Sequence, residues 1–597
     1  MFKKYIKNFG YLIVLLLLNI PAFALNEHLG ILCYHNVIDE SVPNKHQQYF
    51  PQTISAQTLI THFNWLRNNG YKPVSLQQIM DARNGGHPLP DKAVLLTFDD
   101  GYESFYNVIY PLLKAYNYPA VYAIVTDWVN TPNNRKISYG NQKLNRNEFV
   151  TWQQLREMQA SGLIEMASHT NDLHHGINAN PAGSSLPAVI APAYRNGQYE
   201  TSTEYKNKLR KDFQRSYDLL KKNVGVAPRA MVWPYGHFTA TAADIAKEVG
   251  FEVHMSLVDT KTNTPEQFHL GRLLLDTETS IETIANYLKN KNESLSVQRS
   301  LRIKLDDVYD PDPIKQGKNL DKIIERIHRQ GVSRVYIQAF SDVNNDGIAE
   351  ALYFPNKYLP VRADLFSRVA WILETRLNVS PYVWLPVSAF DLTNVDSHKT
   401  EMIKSVYQDL SLYAKFKGIL FTDDQVIEKG EQNISALFKI TDEVKKVMSP
   451  YVLWGSEYFK TTGMISAPLN LSSQNETQFT RRLASFAKYY DTVLVSTAPY
   501  LHHSEFSKRE AKNWVDDVVK STTPYIAKDK LAFELQAVDA RTQQAVPDDE
   551  LADWMEVLQN ENKIYNFGYY PDNFQTDQPK LQKIRPHFSI NTNIGLK

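Results

Sequence analysis

One cysteine, Cys33, occurs in 597 residues, so the chain can form no internal disulfide and must hold its fold by packing. Neither charge is in surplus: 65 Lys and Arg face 65 Asp and Glu, which leaves no global basic field to bind nucleic acid. A mean hydropathy of −0.40 excludes a polytopic membrane protein. Aromatic residues, by contrast, are not scarce. With 27 Phe, 34 Tyr and 9 Trp there is ample core and sugar-stacking material, which argues against intrinsic disorder. The length suits two large domains as well as four small ones, because one (β/α) barrel takes up twice the usual allotment.

An N-terminal segment is set aside first. Lys3, Lys4 and Lys7 precede an apolar stretch over 11–20 that is too short to span a bilayer, and Ala22-Phe23-Ala24 is a small-x-small cleavage site. Residues 1–24 therefore read as a secretory signal. A lipid anchor would need a Cys at the cleavage point, whereas Cys33 falls beyond it, inside a buried-strand pattern running from Gly30 to His35. The expectation is a soluble exported protein and not a lipoprotein.

From about residue 30 to 290, short apolar runs alternate with amphipathic stretches. Strands are predicted at 31–34, 93–98, 120–126, 163–168, 230–233 and 253–257, and helices at 56–68, 204–222 and 242–248, with Gly70 and Gly250 placed to end two of them. This alternation implies a parallel sheet wrapped by helices. The polar stretches 130–147 and 176–198 read as surface insertions near the mouth of a site. A polar segment, 290–300, leads into a second series, with strand-like runs at 301–305, 334–339, 382–386, 418–421, 451–454, 492–496, 531–535 and 564–568. About eight strands separated by helices predict a (β/α)8 barrel over 291–597, after a first domain over 25–290. In that fold the mouth is lined by residues just after each strand, here Asp306, Asp307, Gln338, Trp384, Asp423, Asp424, Tyr500, Gln536 and Tyr569.

Two constellations in the first domain carry chemistry. Thr97-Phe98-Asp99-Asp100-Gly101 delivers two adjacent carboxylates from the end of an apolar strand into a turn that Gly permits. Alone it would be an ordinary helix-capping turn. Ser168-His169-Thr170-Asn171-Asp172-Leu173-His174-His175 follows another apolar run, and two imidazoles with one carboxylate make a facial triad that leaves positions open for water and substrate.

These motifs resemble those of the NodB-type polysaccharide deacetylases, carbohydrate esterase family 4, whose fold is an irregular (β/α) barrel. The match of Thr97 through Gly101 to the first family motif implies Asp99 as base and Asp100 as metal ligand. The second motif implies His169 and His174 as the other ligands, with His175 the alternative. The third is matched by Trp233-Pro234-Tyr235-Gly236 and implies that the Tyr235 backbone N–H meets the oxyanion. Two features depart from the pattern. Val232 stands where an Arg often orients the base, so that group must be replaced or absent, and the late Leu-x-x-His that supplies the acid has no clear match. His35 is the preferred substitute and His254 the alternative. The implied reaction is metal-assisted hydrolysis of an N-acetyl group, with zinc the default and nickel, cobalt or iron also compatible with mixed N/O ligands.

The whole mature chain, a deacetylase domain followed by a barrel opening Leu305-Asp306-Asp307-Val308-Tyr309-Asp310, is similar to the two-domain periplasmic poly-β-1,6-N-acetyl-D-glucosamine deacetylases of Gram-negative biofilm systems. That resemblance implies partial deacetylation of the polymer during export, the polymer as partner, and an outer-membrane export porin as another. It also implies a glycoside-hydrolase-like second domain that binds the product and in some members cleaves it. Asp424 is then the expected catalytic carboxylate, with Asp306, Asp423, Trp384 and Tyr500 contacting sugar. A polysaccharide-binding export factor without turnover, and a chitin or peptidoglycan deacetylase, remain as other readings. Asp342-x-Asn344-x-Asp346-Gly347 imitates the start of a calcium loop, but Tyr353 stands where the bidentate Glu belongs, so a polar loop is expected.

Overall fold

The computed structural model describes residues 28–41, 50, 52–259, 262–291, 297–392, 396–423, 431–454, 459–502 and 504–591. The signal-like segment 1–24 and Asp424 lie outside them.

Strands Gly30–Tyr34 (β1) and Ala93–Phe98 (β2) are buried at every position, because alternate side chains pack against other strands on one face, as Ile31 and Leu95 do, and against helices on the other, as Leu32 and Leu96 do. Ala120–Ile124 (β3), Ile164–Ser168 (β4), Ala230–Val232 (β5), Val253–Ser256 (β6), His269–Gly271 (β7) and Leu273–Leu274 (β8) complete the series. All pair in parallel in the order β7-β6-β5-β4-β3-β2-β1-β8. The edge strands β7 and β8 are consecutive in the chain, with only Arg272 between them. The sheet is thus joined into an irregular barrel by one residue of chain where a ladder would otherwise close it. Helix Ser202–Val224 (α1) begins with a capping box between Thr201 and Glu204 and ends on Gly225 at φ 90°. Its buried stripe of Tyr205, Leu209, Phe213 and Leu220 has the three-to-four spacing of a core-facing helix, and it includes one acid, Asp212.

The second domain is a closed, all-parallel barrel of Gln298–Ile303 (β9), Arg334–Gln338 (β10), Ser380–Trp384 (β11), Gly418–Phe421 (β12), Lys460–Ser466 (β13), Thr492–Thr497 (β14), Leu531–Gln536 (β15) and Asn566–Tyr570 (β16). One strand differs from expectation. The run at 451–454 is not the fifth stave; β13 is. Periodicity cannot separate one short apolar run from another, and β13 opens on Lys460, Thr461 and Thr462, two of which are buried polar residues. Gly463 in β13 is needed because a Cβ there would lie 2.3 Å from the Tyr490 ring.

Leu453–Trp454 instead pairs antiparallel with Phe238–Thr239 of the first domain. Around this bridge the Thr241 N–H donates to the Pro450 carbonyl at 2.9 Å, and Ser202 and Tyr451 share a hydroxyl hydrogen bond at 2.7 Å. Leu412, Tyr451 and Leu453 pack into one apolar cluster with Phe238, Ala242 and Ile245, so the two domains share a core. Among the described residues no helix is long and apolar enough to cross a membrane.

Candidate active site

The site sits where β1, β2, β4 and β5 end, the face on which open α/β sheets place ligands. Three of its loops turn on non-glycine residues with left-handed backbone: Asp100 (φ 77°), Thr170 (φ 69°) and Tyr235 (φ 59°). Such strain is tolerated where the surroundings over-determine the loop, as functional sites often do. The Asn171 and Asp172 N–H groups donate to Asp212 at 2.9 and 2.8 Å, so α1 holds the histidine loop from below. Burial pushes the Asp212 carboxyl up to about 7.

Asp100, His169 and His174 converge, each offering one ligand atom within 4.8 Å of the others. The imidazole Nε2 atoms of His169 and His174 lie 3.4 and 3.3 Å from Asp100 Oδ1, which is buried and has no hydrogen-bond donor among the described residues. His169 Nδ1 is tied to the Val232 carbonyl at 2.8 Å, which fixes the tautomer and leaves Nε2 free to ligate. Burial holds the His174 imidazole at about 4, hence neutral, as a ligand must be. For Asp100 burial acts upward, but His174 and His169 override it and keep the carboxyl below the usual range. An orphaned carboxylate oxygen facing two oriented imidazole nitrogens fits a divalent cation. His175 is not part of this cluster.

Asp99, one residue earlier, is gripped by Arg272. The guanidinium Nη1 and Nη2 donate to its two oxygens at 2.8 and 2.9 Å, and Arg272 is itself fully buried, also donating to Thr97 Oγ1 and the Ser256 carbonyl. Burial pushes the Asp99 carboxyl up, and Arg272 together with His169 and His35 more than offsets it, so the group is held below the usual carboxylate range. The position read as lacking its arginine at Val232 is thus supplied from the chain between β7 and β8. Neither motif nor spacing indicated Arg272.

His35 follows β1 and lines the same cleft, of 260 Å³, with Asp99, His169, His174, Trp233 and Tyr235. A ring nitrogen lies within 4.8 Å of Asp99 and of Cys33, whose thiol donates weakly to Asp99 at 3.5 Å. His254 is placed differently. It is fully buried on β6 against Trp233 and Phe268, held by burial at about 3, and does not line the cleft. Tyr235 is 41% exposed and its ring lies 4.7 Å from that of His174.

In the barrel the expected residues have varied surroundings. Asp306 accepts from Gln338 (2.9 Å), Ser341 (2.9 Å), Tyr353 (2.7 Å) and the Asp342 N–H (3.0 Å), so it braces the loop after β10. Asp423 is buried and accepts from the N–H groups of Val387 and Ser388. Trp384 is buried in packing with the Arg302 guanidinium 4.5 Å from its ring, and Arg302 pairs with Glu534 at 2.7 Å. Tyr500 is buried with its hydroxyl on Glu550 and Arg541 over its ring. Neither ring presents a free face, so the sugar-stacking expectation does not suit them. A cleft of 380 Å³ at the mouth is lined by Lys304, Asp307, Gln543, Tyr570, Asn573 and Gln578. In the calcium-like loop, Asp342, Asn344 and Asp346 each accept an N–H of the loop itself.

These geometries define a two-domain polysaccharide deacetylase. The polysaccharide deacetylase family model matches residues 86–254, and a model described as hypothetical glycosyl hydrolase family 13 matches 302–402 and 430–570. A poly-beta-1,6-N-acetyl-D-glucosamine N-deacetylase of Escherichia coli strain K12 is 35% identical over 623 residues, spanning 94% of this chain and 91% of the relative. The chain belongs to that N-deacetylase family. Among solved structures, a de-N-acetylase from Aggregatibacter actinomycetemcomitans is 57% identical, with 44% of this chain and 99% of that one covered and a TM-score of 0.42. The PgaB (BpsB) glycoside hydrolase domain from Bordetella bronchiseptica is 28% identical, with 50% and 100% covered and a TM-score of 0.43. The stretch matched as deacetylase includes neither His35 nor Arg272, which arrive from strands outside it.

Proposed function

We propose that the first domain hydrolyses the N-acetyl groups of a β-1,6-linked N-acetylglucosamine polymer, the substrate in the name of the curated relative, and that the barrel binds the product. The observation that carries this reading is a buried, arginine-held carboxylate, Asp99, directly beside the ligand set of Asp100, His169 and His174. A divalent cation there would supply Lewis acidity toward the acetyl carbonyl; two imidazoles and a carboxylate suit zinc first, and nickel, cobalt or iron as well.

This chain's residues supply the remaining work. Asp99 takes the proton of the attacking water, since an amide carbon is a poor electrophile. Arg272 keeps that carboxylate ionised and aimed. The Tyr235 backbone N–H stabilises the oxygen on which negative charge builds. His35 then gives a proton to the departing amine, without which the tetrahedral species collapses backwards. In the second domain Asp424 is the proposed acid for chain cleavage, with Asp423 and Asp306 the proposed sugar-binding carboxylates. Export to the periplasm rests on the signal-like segment 1–24, and delivery of polymer to an outer-membrane porin rests on family resemblance.

The other reading, a non-catalytic export factor, rests on the missing arginine and displaced acid; the Arg272 grip on Asp99 and the place of His35 in the cleft favour turnover over it. The test is acetate release from purified β-1,6-linked N-acetylglucosamine oligomers by metal-supplied wild type and Asp99→Asn, with β-1,4-linked oligomers alongside. Release from the β-1,6 series should fall on the order of 10²- to 10⁴-fold in the variant. No acetate from wild type would refute deacetylation, and equal release from both series would refute the linkage.

A further inference from the structure

The two oxygens of Asp100 are treated differently. Oδ1 is buried, lacks a hydrogen-bond donor among the described residues and faces both imidazoles, while Oδ2 accepts a hydrogen bond at 2.8 Å from the hydroxyl of Tyr139. Tyr139 ends the strand Lys136–Tyr139, which turns back through Gly140 to pair antiparallel with Gln142–Asn145. That hairpin occupies the polar stretch read from sequence as a surface insertion. Its ring is fixed on several sides: 4.9 Å from the Phe50 ring, 5.5 Å from Trp128, and 5.9 Å from His174 at an interplanar angle of 20°. One side chain therefore touches two of the three ligands, with its hydroxyl on Asp100 and its ring stacked on His174.

We propose that Tyr139 is a positioning residue for the metal, holding Asp100 so that it ligates through Oδ1 alone and holding the His174 ring in its ligating orientation. A free carboxylate can swing between one-oxygen and two-oxygen binding. A hydroxyl that occupies Oδ2 and is itself locked in an aromatic packet selects the first and orders the ligand before the ion arrives. Outer-shell partners of this kind are typically worth about 10- to 100-fold in metal affinity. The neighbouring group of Cys33, His35 and Asp99 does not compete as a second centre, because both Asp99 oxygens are engaged by the Arg272 cation.

The proposal rests on the metal reading above, and its test keeps the two apart. Cobalt(II) is titrated into the full-length metal-free wild type and Tyr139→Phe, and affinity and the visible d–d spectrum are recorded, without any turnover assay. Tyr139→Phe keeps the ring and its stacking but takes the hydroxyl from Asp100 Oδ2, so the metal-free thermal midpoint should drop modestly, by the loss of one buried hydrogen bond, while affinity falls about 10- to 100-fold and the spectrum changes with the coordination of Asp100. Unchanged affinity and spectrum in Tyr139→Phe would overturn the role of Tyr139 and leave the metal reading standing. A wild type that binds no cobalt or zinc would overturn both. A Tyr139→Phe whose affinity falls while its cobalt spectrum stays that of wild type would assign the loss to packing and also overturn the proposal.

Discussion

Replacing Arg272 by Met deletes the guanidinium that holds both oxygens of Asp99, at 2.8 and 2.9 Å, where Arg272 is fully buried and Asp99 all but buried at the cleft wall. Burial alone drives the Asp99 carboxyl upward, and Arg272 is the largest influence against it. Without Arg272 the carboxylate would keep only the weak thiol donor of Cys33 at 3.5 Å and the partial help of His169 and His35. Leaving one member of a buried pair uncompensated costs about 3–5 kcal/mol, whereas replacing both with apolar groups is often close to neutral. Arg272→Met should therefore lose about that much stability, and Asp99→Leu with Arg272→Met should lose less than Arg272→Met alone, a coupling of about 2 kcal/mol or more. The assay is urea unfolding of the full chain followed by hydrogen exchange of β1 and β2 amides, so that melting of the barrel is not mixed in. Arg272→Lys keeps the charge but not the two-pronged grip, so it should be milder in stability yet lower acetate release on the order of 100-fold, as a small misplacement of the base would. Arg272→Met within about 1 kcal/mol of wild type, or a double variant equal to the sum of the singles, would refute the reasoning.

Gly236 has φ +72° and a Cβ there would lie 2.8 Å from the Leu257 backbone nitrogen, so Gly236→Ala should cost about 1–3 kcal/mol in thermal unfolding and displace the Tyr235 turn. His35→Gln should lower acetate release by roughly 10²- to 10⁴-fold while leaving cobalt affinity unchanged, and a wild-type rate would assign the acid to another group. His62 is buried and neutral in the fold, held by burial at about 4. As pH falls the unfolded chain binds the proton first, so its contribution is full above about pH 6.5 and lost between there and pH 4, at most about 3 kcal/mol. His62→Gln should flatten that part of the stability curve measured by urea unfolding, and an unaltered curve would count against it.

Much of the site was legible because its ligands follow apolar strands and fall in short, regular motifs. Asp99, Asp100, His169 and His174 all lie just past β2 and β4, and His35 just past β1. Arg272 was not legible because its partner is 173 residues away and it lies past the last strand predicted for the domain, outside every motif. The available signal was the arginine itself, since a guanidinium inside an apolar run must find a partner if it is buried. Tyr139 fell in a stretch whose alternation suggests a hairpin but not which ring turns inward. In the barrel, strand ends gave the positions of Trp384 and Tyr500 but not their burial, which depends on Arg302 arriving from a distant strand and Glu550 from a helix. The misplaced fifth stave has the same origin, because the apolar run near Leu453 satisfies a neighbouring domain and not its own sheet.

In a ring of parallel strands, neighbourhood around the ring, and not order along the chain, decides which loop overlooks which site. Here β1, from the start of the chain, is hydrogen-bonded between β2 and β8, so the first and last strands of the domain are adjacent. A proton donor carried after a terminal strand can therefore be encoded at either end of the domain and still reach the same pocket. His35, the proposed proton donor, is written ahead of the Asp-Asp motif and occupies such a place, and a circularly permuted gene that moved β1 behind β8 would be expected to rebuild the same cleft.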